Sequence, residues 1–509
     1  MRRMKVAIVL ALALVTALAM VGVASAAVDT NSSKLRTAVT TKGIMKHQTQ
    51  FQEIADANNN SRASGTPGFD ASVDYVASKL RAAGYDVVVQ PFTFPFFQEL
   101  APTTFSQTAP IAKTYQDGTD FFIQEYSVSG NVVDKAVVPT NDVQIPPGPT
   151  ASSSNSGCEA SDFVPASETE EQVSLIQRGT CGFGQKAQNA EAAGYDAAII
   201  FNEGQAGRTD AINGTLGEPG VTIPVIGTTF AVGEELYKAS PGARVSISAT
   251  TLLDNGNTAN VIADTKAGRT DRVVVVGAHL DSVPEGPGIN DNGSGSATIL
   301  EVALQMSKLG IQPRNQVRFA FWGAEESGLL GSEHYVSTLS KSQLNDIAVN
   351  LNFDMVSSPN YVRFVFDGDG SDTGTSGPTG SGVVEDVLND YFASQGLQTE
   401  PTALDGRSDY GPFIDVGIPA GGLFTGAEGI KTPEQAAIYG GTAGVAYDPC
   451  YHAACDDITN LNKRALNQMS DATAHATLAF AQTTSAVGGT AKGTPSSDKL
   501  QYKVPKAQK

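Results

Sequence analysis

Apolar residues recur along this chain with two different periods, and the changes between them divide it. Over 46–58 and again over 69–83 they return every three or four positions, which predicts two amphipathic helices. A Gly-Thr-Pro-Gly turn at 65–68 precedes the second helix, Gly84 stops it, and Val87, Val88 and Val89 follow as a strand. Residues 27–50 are polar, and their first part is expected to lack order. Between about 100 and 255 short β-like runs alternate with Pro- and Gly-rich turns, as at 145–149. One strand–helix–strand unit stands out there, over 173–176, 183–193 and 197–201, with a further buried strand at 223–226. This stretch holds no visible cluster of metal ligands and no nucleophile–base pair.

From Ala259 the texture becomes α/β. Residues 273–276 form a short, continuous apolar strand, as expected in a sheet covered on both faces. A helix over 297–309, alternating Val317, Phe319 and Phe321, a strand over 350–356 and a helix over 383–395 follow. Interleaved helices and strands of this kind predict a three-layer αβα sandwich with a mixed, mainly parallel sheet. Such sheets bind ligands beyond the carboxyl ends of their strands. His279 and Asp281 follow the first strand, Glu325 and Glu326 the second, and Asp354 ends the third.

Composition narrows the setting. Fifty-three acids against 34 bases give a formal charge of −19, which argues against a nucleic-acid partner. At the N-terminus Arg2, Arg3 and Lys5 precede an apolar run over 6–23 and then Ala24-Ser25-Ala26, the pattern of a cleaved secretory signal at 1–26. The apolar run approaches the length of a membrane-spanning helix, but the small residues stand where cleavage requires them. The expectation is a secreted, extracellular monomer with no membrane contact after cleavage. Cys158, Cys181, Cys450 and Cys455 are an even set in an exported chain, so disulfides are expected. Three pairings are possible, and proximity favours Cys158 with Cys181 and Cys450 with Cys455. The last residues, 486–509, hold five Lys and scattered Gly and Pro and read as a solvated tail.

The acids at the strand ends carry the chemistry. Asp354 lies between Phe353 and Met355 in a core-strand pattern, where a carboxylate is costly unless paired or bound to a metal. Asp291 sits in a glycine-rich loop before a helix, and His452 in Asp-Pro-Cys-Tyr-His-Ala-Ala-Cys-Asp, inside the short cysteine loop. Several acids and two histidines together call for a cation, and zinc suits imidazole and carboxylate donors. Five candidate ligands exceed what one catalytic zinc needs, so the count points to two ions about 3.5–4 Å apart sharing a carboxylate. One acid then remains as a general base.

His279-Leu-Asp-Ser, Asn290-Asp-Asn-Gly-Ser-Gly, Trp322-Gly-Ala-Glu-Glu-Ser-Gly, Gly417-Ile-Pro-Ala-Gly-Gly and Asp448-Pro-Cys-Tyr-His together resemble the co-catalytic zinc aminopeptidases of metallopeptidase clan MH. Within that clan they are most similar to the streptomycete and aminopeptidase Y branches. The resemblance covers most of 258–485 and implies the zinc exopeptidase fold. It makes Asp291 the bridging ligand, pairs His279 with Asp354 and Glu326 with His452, and makes Glu325 the general base. Asp281 would orient the His279 ring, Tyr451 would donate to the tetrahedral oxyanion, and Arg407 would help hold the substrate. The substrate implied is the N-terminus of a peptide or protein, with large apolar first residues such as Leu preferred.

The middle stretch, Gln177-Arg-Gly-Thr-Cys-Gly-Phe-Gly with Gly194-Tyr-Asp-Ala-Ala-Ile-Ile-Phe-Asn and Ile223-Pro-Val-Ile, resembles a protease-associated domain, mainly β in character. The expected organisation is a signal at 1–26, the start of the peptidase domain at 27–130, the inserted domain at 131–252, the catalytic domain at 253–485 and the tail at 486–509. Within the same clan a carboxypeptidase or a glutaminyl cyclase is the enzymatic alternative. A non-catalytic receptor-like relative is the other, and it would be expected to have lost metal ligands that this chain retains.

Overall fold

Val273, Val274, Val275 and Val276 are all buried and form the middle of the strand Arg269–His279. In the computed structural model, which describes residues 31–205 and 207–483, this strand lies in the interior of the larger, mainly parallel sheet region. The proposed signal at 1–26 and the tail at 486–509 fall outside the described residues. From one edge the order is Glu400–Ala403, Phe364–Asp367, Ala420–Phe424, Ile347–Phe353, Arg269–His279, Asn315–Trp322 and Arg244–Asp264. Ala420–Phe424, Ile347–Phe353, Arg269–His279 and Asn315–Trp322 run parallel to one another. Antiparallel pairings join Phe364–Asp367 and Arg244–Asp264 to this group.

Two cores cover the two faces. Val274 and Val276 point into a cluster with Phe51, Phe69, Leu300 and Phe480, drawn from the helices Thr41–Asp56, Pro67–Ala82, Gly293–Lys308 and Lys463–Gln482. Val273 and Val275 point the other way, to Trp322, Tyr335 and Phe413 under the helix Leu330–Thr338. Fully burying one such aromatic or aliphatic side chain contributes about 1.5–3 kcal/mol, so both faces must be covered for the sheet to hold. The result is the three-layer αβα sandwich that the sequence pattern predicts.

Order begins earlier than the polar composition of 27–50 suggests. Ser33–Ala38 is a helix, and Thr41–Asp56 starts five residues before the periodic stretch at 46–58. Thr40 caps this second helix by accepting from Gly43 N at 3.1 Å. Leu35 and Ile44 are fully buried. A sparse apolar stripe is enough when it docks on an existing core, because helix stability in proteins comes largely from tertiary packing.

The strands Asp86–Ala109 and Arg244–Asp264 pair antiparallel from Asp86↔Asp264 to Ala109↔Arg244. One end of this ribbon edges the larger sheet region, and the other joins Gly130–Pro139. Gly130–Pro139, Gln172–Gln177, Ala197–Phe201 and Val225–Thr228 then run parallel in the second, smaller unit, with Phe121–Ile123 antiparallel at its edge. A disulfide joins Cys158 to Cys181 there, and another joins Cys450 to Cys455 in the larger unit. Among the described residues no helix is long and apolar enough to cross a membrane.

Candidate metal centre

Three neighbouring parallel strands end level with one another, and their ends supply the first part of the site. His279 is the last residue of its strand and pairs in register with Trp322, three residues before Glu325. Asn352 pairs with Gly277, which puts Asp354 level with His279. Asp291 and His452 come from loops instead. Asn292 caps the helix Gly293–Lys308, accepting from Gly295 N at 2.9 Å, and donates to Phe353 O at 3.0 Å. Gly295 is required at this crossing, because a Cβ there would lie 2.1 Å from Phe353 O. The loop that presents Asp291 is thereby tied to the strand that presents Asp354.

The side chains converge. His279 Nε2 lies 3.1 Å from Asp291 Oδ1 and 3.3 Å from Asp354 Oδ1. His452 Nε2 lies 3.2 Å from Asp291 Oδ2 and 3.2 Å from Glu326 Oε2. Two donor sets share Asp291, His279–Asp291–Asp354 and Asp291–Glu326–His452, and a third group combines His279 with Glu325 and Glu326. Glu325 Oε2 stands 3.9 Å from His279 Nε2, and Glu325 lies outside the two sets that share Asp291. Tyr451 stacks on His452 with ring centroids 3.8 Å apart. Arg407 is exposed at the mouth of the cavity and donates through both Nη atoms to Glu428 Oε1 at 3.0 Å.

His279, Asp354 and Asp291 are each steadied by a second residue. His279 Nδ1 lies 3.2 Å from Asp281 O and 3.6 Å from Asp281 Oδ1, so the other ring nitrogen faces the site. Asp281 Oδ1 also accepts from Glu325 N at 3.3 Å. Ser408 Oγ donates to Asp354 Oδ2 at 2.6 Å and receives Asn352 Nδ2 at 2.8 Å. Asp456 accepts Asn290 N and Asp291 N, each at 2.9 Å. Asn460 Nδ2 donates both to Asp456 and to Asp448. Ser408 and Asp456 are given no role by the sequence. The nearest signal is that Asp456 directly follows the cysteine loop bearing His452.

The electrostatics call for a cation. Burial alone would pull His279 down, but Glu325, Asp354, Asp281 and Asp291 around it hold it well above its ordinary value. Burial and Glu326 push Asp291 up, yet the two facing imidazoles keep it below the usual carboxylate range. Asp354 Oδ1 is buried without a hydrogen-bond donor. The donor set is two imidazoles with carboxylates and no thiolate, which suits zinc. Bonds of about 2.0–2.1 Å in a tetrahedral zinc site put neighbouring donors about 3.3 Å apart. The observed spacings of 3.1–3.3 Å fall close to that edge length. A separate acidic group, Asp367, Asp369 and Glu385, is unlike this, because Asp367 is already filled by Gly370 N, Asp372 N and Thr373 N.

A cavity of about 890 Å³ opens over the site. Its walls include the apolar Leu330, Met355, Phe366 and Phe424, and Glu125, Thr215 and Gly217 from the smaller unit.

Residues 260–477 match peptidase family M28, and residues 136–236 match the PA domain. The chain is 48% identical over 436 residues to an aminopeptidase of Pseudomonas aeruginosa, covering 85% of this chain and 80% of that one. It is 38% identical over 449 residues to a probable leucine aminopeptidase 2 of Aspergillus oryzae, covering 87% and 85%. Among solved structures it is similar to a zinc aminopeptidase from Bacillus subtilis, with a TM-score of 0.61 and 25% identity over 88% of this chain and 98% of that one.

Proposed function

Because the chain belongs to peptidase family M28 and carries a PA domain, we propose that it is a secreted aminopeptidase that uses two zinc ions to release N-terminal residues from peptides. The observation that carries this reading is the single carboxylate of Asp291 facing both imidazoles, His279 and His452, with Glu325 beside them. In this reading His279 and Asp354 complete one ion's ligands, Glu326 and His452 complete the other's, and Asp291 bridges. When bound, zinc polarises the scissile carbonyl and lowers the pKa of water.

The protein's own groups do the rest. Glu325 takes the proton of the attacking water and returns it to the leaving amine. Tyr451, seated on the His452 ring, donates its hydroxyl to the developing oxyanion. The acids that remain around the site favour a free α-ammonium group, so an unblocked N-terminus is the substrate end. Arg407 holds the peptide at the cavity mouth once it exchanges Glu428 for substrate. The apolar wall formed by Leu330, Met355, Phe366 and Phe424 suits a Leu-like first side chain. Export is read from the signal at 1–26, and the catalytic unit is taken as 27–130 with 253–485, interrupted by the PA domain at 131–252.

A matched set of peptides tests direction. A Leu-initiated peptide with an amidated C-terminus should be trimmed from its N-terminus, and its N-acetylated counterpart should be inert. Cleavage of the acetylated peptide with loss of activity on the amidated one would make the enzyme a carboxypeptidase.

A further inference from the structure

Arg62 lies almost 200 residues before the segment that matches the peptidase family, yet its side chain is wholly buried behind the metal-site loops. Its guanidinium donates to three backbone carbonyls: Nη1 to Leu280 at 2.5 Å, Nε to Pro287 at 2.8 Å and Nη2 to Gly288 at 2.7 Å. The backbone is engaged as well, since Arg62 N donates to Ser282 Oγ at 3.0 Å and Arg62 O accepts from Ser282 N at 3.4 Å. The Phe51 ring covers the guanidinium, with its centroid 4.9 Å from the central carbon.

The choice of residue is informative. Burying a cation against carbonyls rather than a carboxylate is expensive, and a neutral side chain would fill the space at lower cost. Burial pulls the Arg62 guanidinium down to about 10, which leaves it charged at neutral pH. What the cation gains is reach. Leu280 lies between His279 and Asp281, and Gly288 lies three residues before Asp291. The planar fork thus grips the loop 280–288 near both ends, next to the two ligands it connects. The surrounding field is favourable too, because Asp281, Asp456, Asp291 and Glu326 all attract the positive charge.

We propose that Arg62 is a positioning residue of the metal centre: it staples the loop 280–288 from the N-terminal segment and so sets the spacing of His279 and Asp291. This rests on the ligand set proposed above. The test compares Arg62→Lys and Arg62→Gln with wild type, and uses Phe51→Leu as a control that disturbs packing over the same side chain but leaves its hydrogen bonds. Zinc affinity is measured by competition with a chromogenic chelator, and folding by circular dichroism and thermal unfolding in excess chelator. Both Arg62 variants should bind zinc about 10–100-fold more weakly. Phe51→Leu should lose thermal stability while keeping wild-type zinc affinity.

Undiminished zinc affinity in both Arg62 variants, beside normal wild-type binding, overturns this proposal alone. So does an equal loss in Phe51→Leu, or failure of both Arg62 variants to fold even with zinc. Failure of the wild-type protein to take up zinc overturns the ligand set, and this proposal with it.

Discussion

Asp291 turns Oδ2 toward His452, 3.2 Å from its Nε2, while its other oxygen lies 3.1 Å from His279. A single carboxylate therefore serves both donor sets, and its loss should be felt at both. Asp291→Asn is expected to lower bound zinc at both positions and to reduce hydrolysis by at least about 10³-fold. Asp354→Asn, which touches one set only, should cost one equivalent first. Elemental analysis of the purified variants distinguishes the two.

Glu325 lies outside the two donor sets that share Asp291, so with the proposed ligand set its removal should separate chemistry from metal binding. Glu325→Gln is expected to retain wild-type zinc content and lose about 10²–10⁴-fold in kcat, the usual contribution of a general base. A variant with near-normal turnover would reassign the base.

The two disulfides should differ in what they protect. Cys158–Cys181 closes a sequence separation of 23 and Cys450–Cys455 one of 5. Chain entropy alone gives about 3 kcal/mol for the longer loop and about 2 kcal/mol for the shorter. The short loop also contains His452 and abuts Asp456, which holds the Asp291 backbone. Replacing Cys450 and Cys455 by Ser should therefore weaken zinc binding, whereas replacing Cys158 and Cys181 should lower thermal stability with zinc affinity unchanged.

Away from the site, His475 Nδ1 bonds Ser32 Oγ at 2.8 Å, and its ring stacks on Tyr391 with centroids 4.8 Å apart. Burial first, and Arg36 second, pull this histidine down to about 4 from an ordinary value of 6.5. Above 6.5 both folded and unfolded chains hold it neutral and its contribution is intact. Between 6.5 and 4 the unfolded chain takes up a proton that the folded one resists, so stability falls as pH falls. Thermal unfolding of His475→Asn across this window should show a shallower decline than wild type.

What the sequence disclosed follows from where the chemistry sits. His279, Glu325, Glu326 and Asp354 were legible because parallel strands with apolar centres place their polar residues at the carboxyl end. His452 carried no such positional signal, and only its company in the cysteine loop marked it. Ser408, Asp456 and Arg62 were invisible as participants because their partners are distant in the chain: Arg62 and Leu280 are 218 residues apart, and Asp456 and Asp291 165. The early helices are hidden in the sequence for a related reason. Leu35 and Ile44 look isolated in a polar stretch, and only the core that receives them makes the stretch helical.

The most direct measurement is a zinc titration of chelator-stripped protein, with bound metal and Leu-anilide hydrolysis followed on the same sample. The account predicts that stripped protein is inactive, that two zinc ions bind per chain, and that hydrolysis returns as they bind. Full activity after exhaustive removal of metal would contradict it.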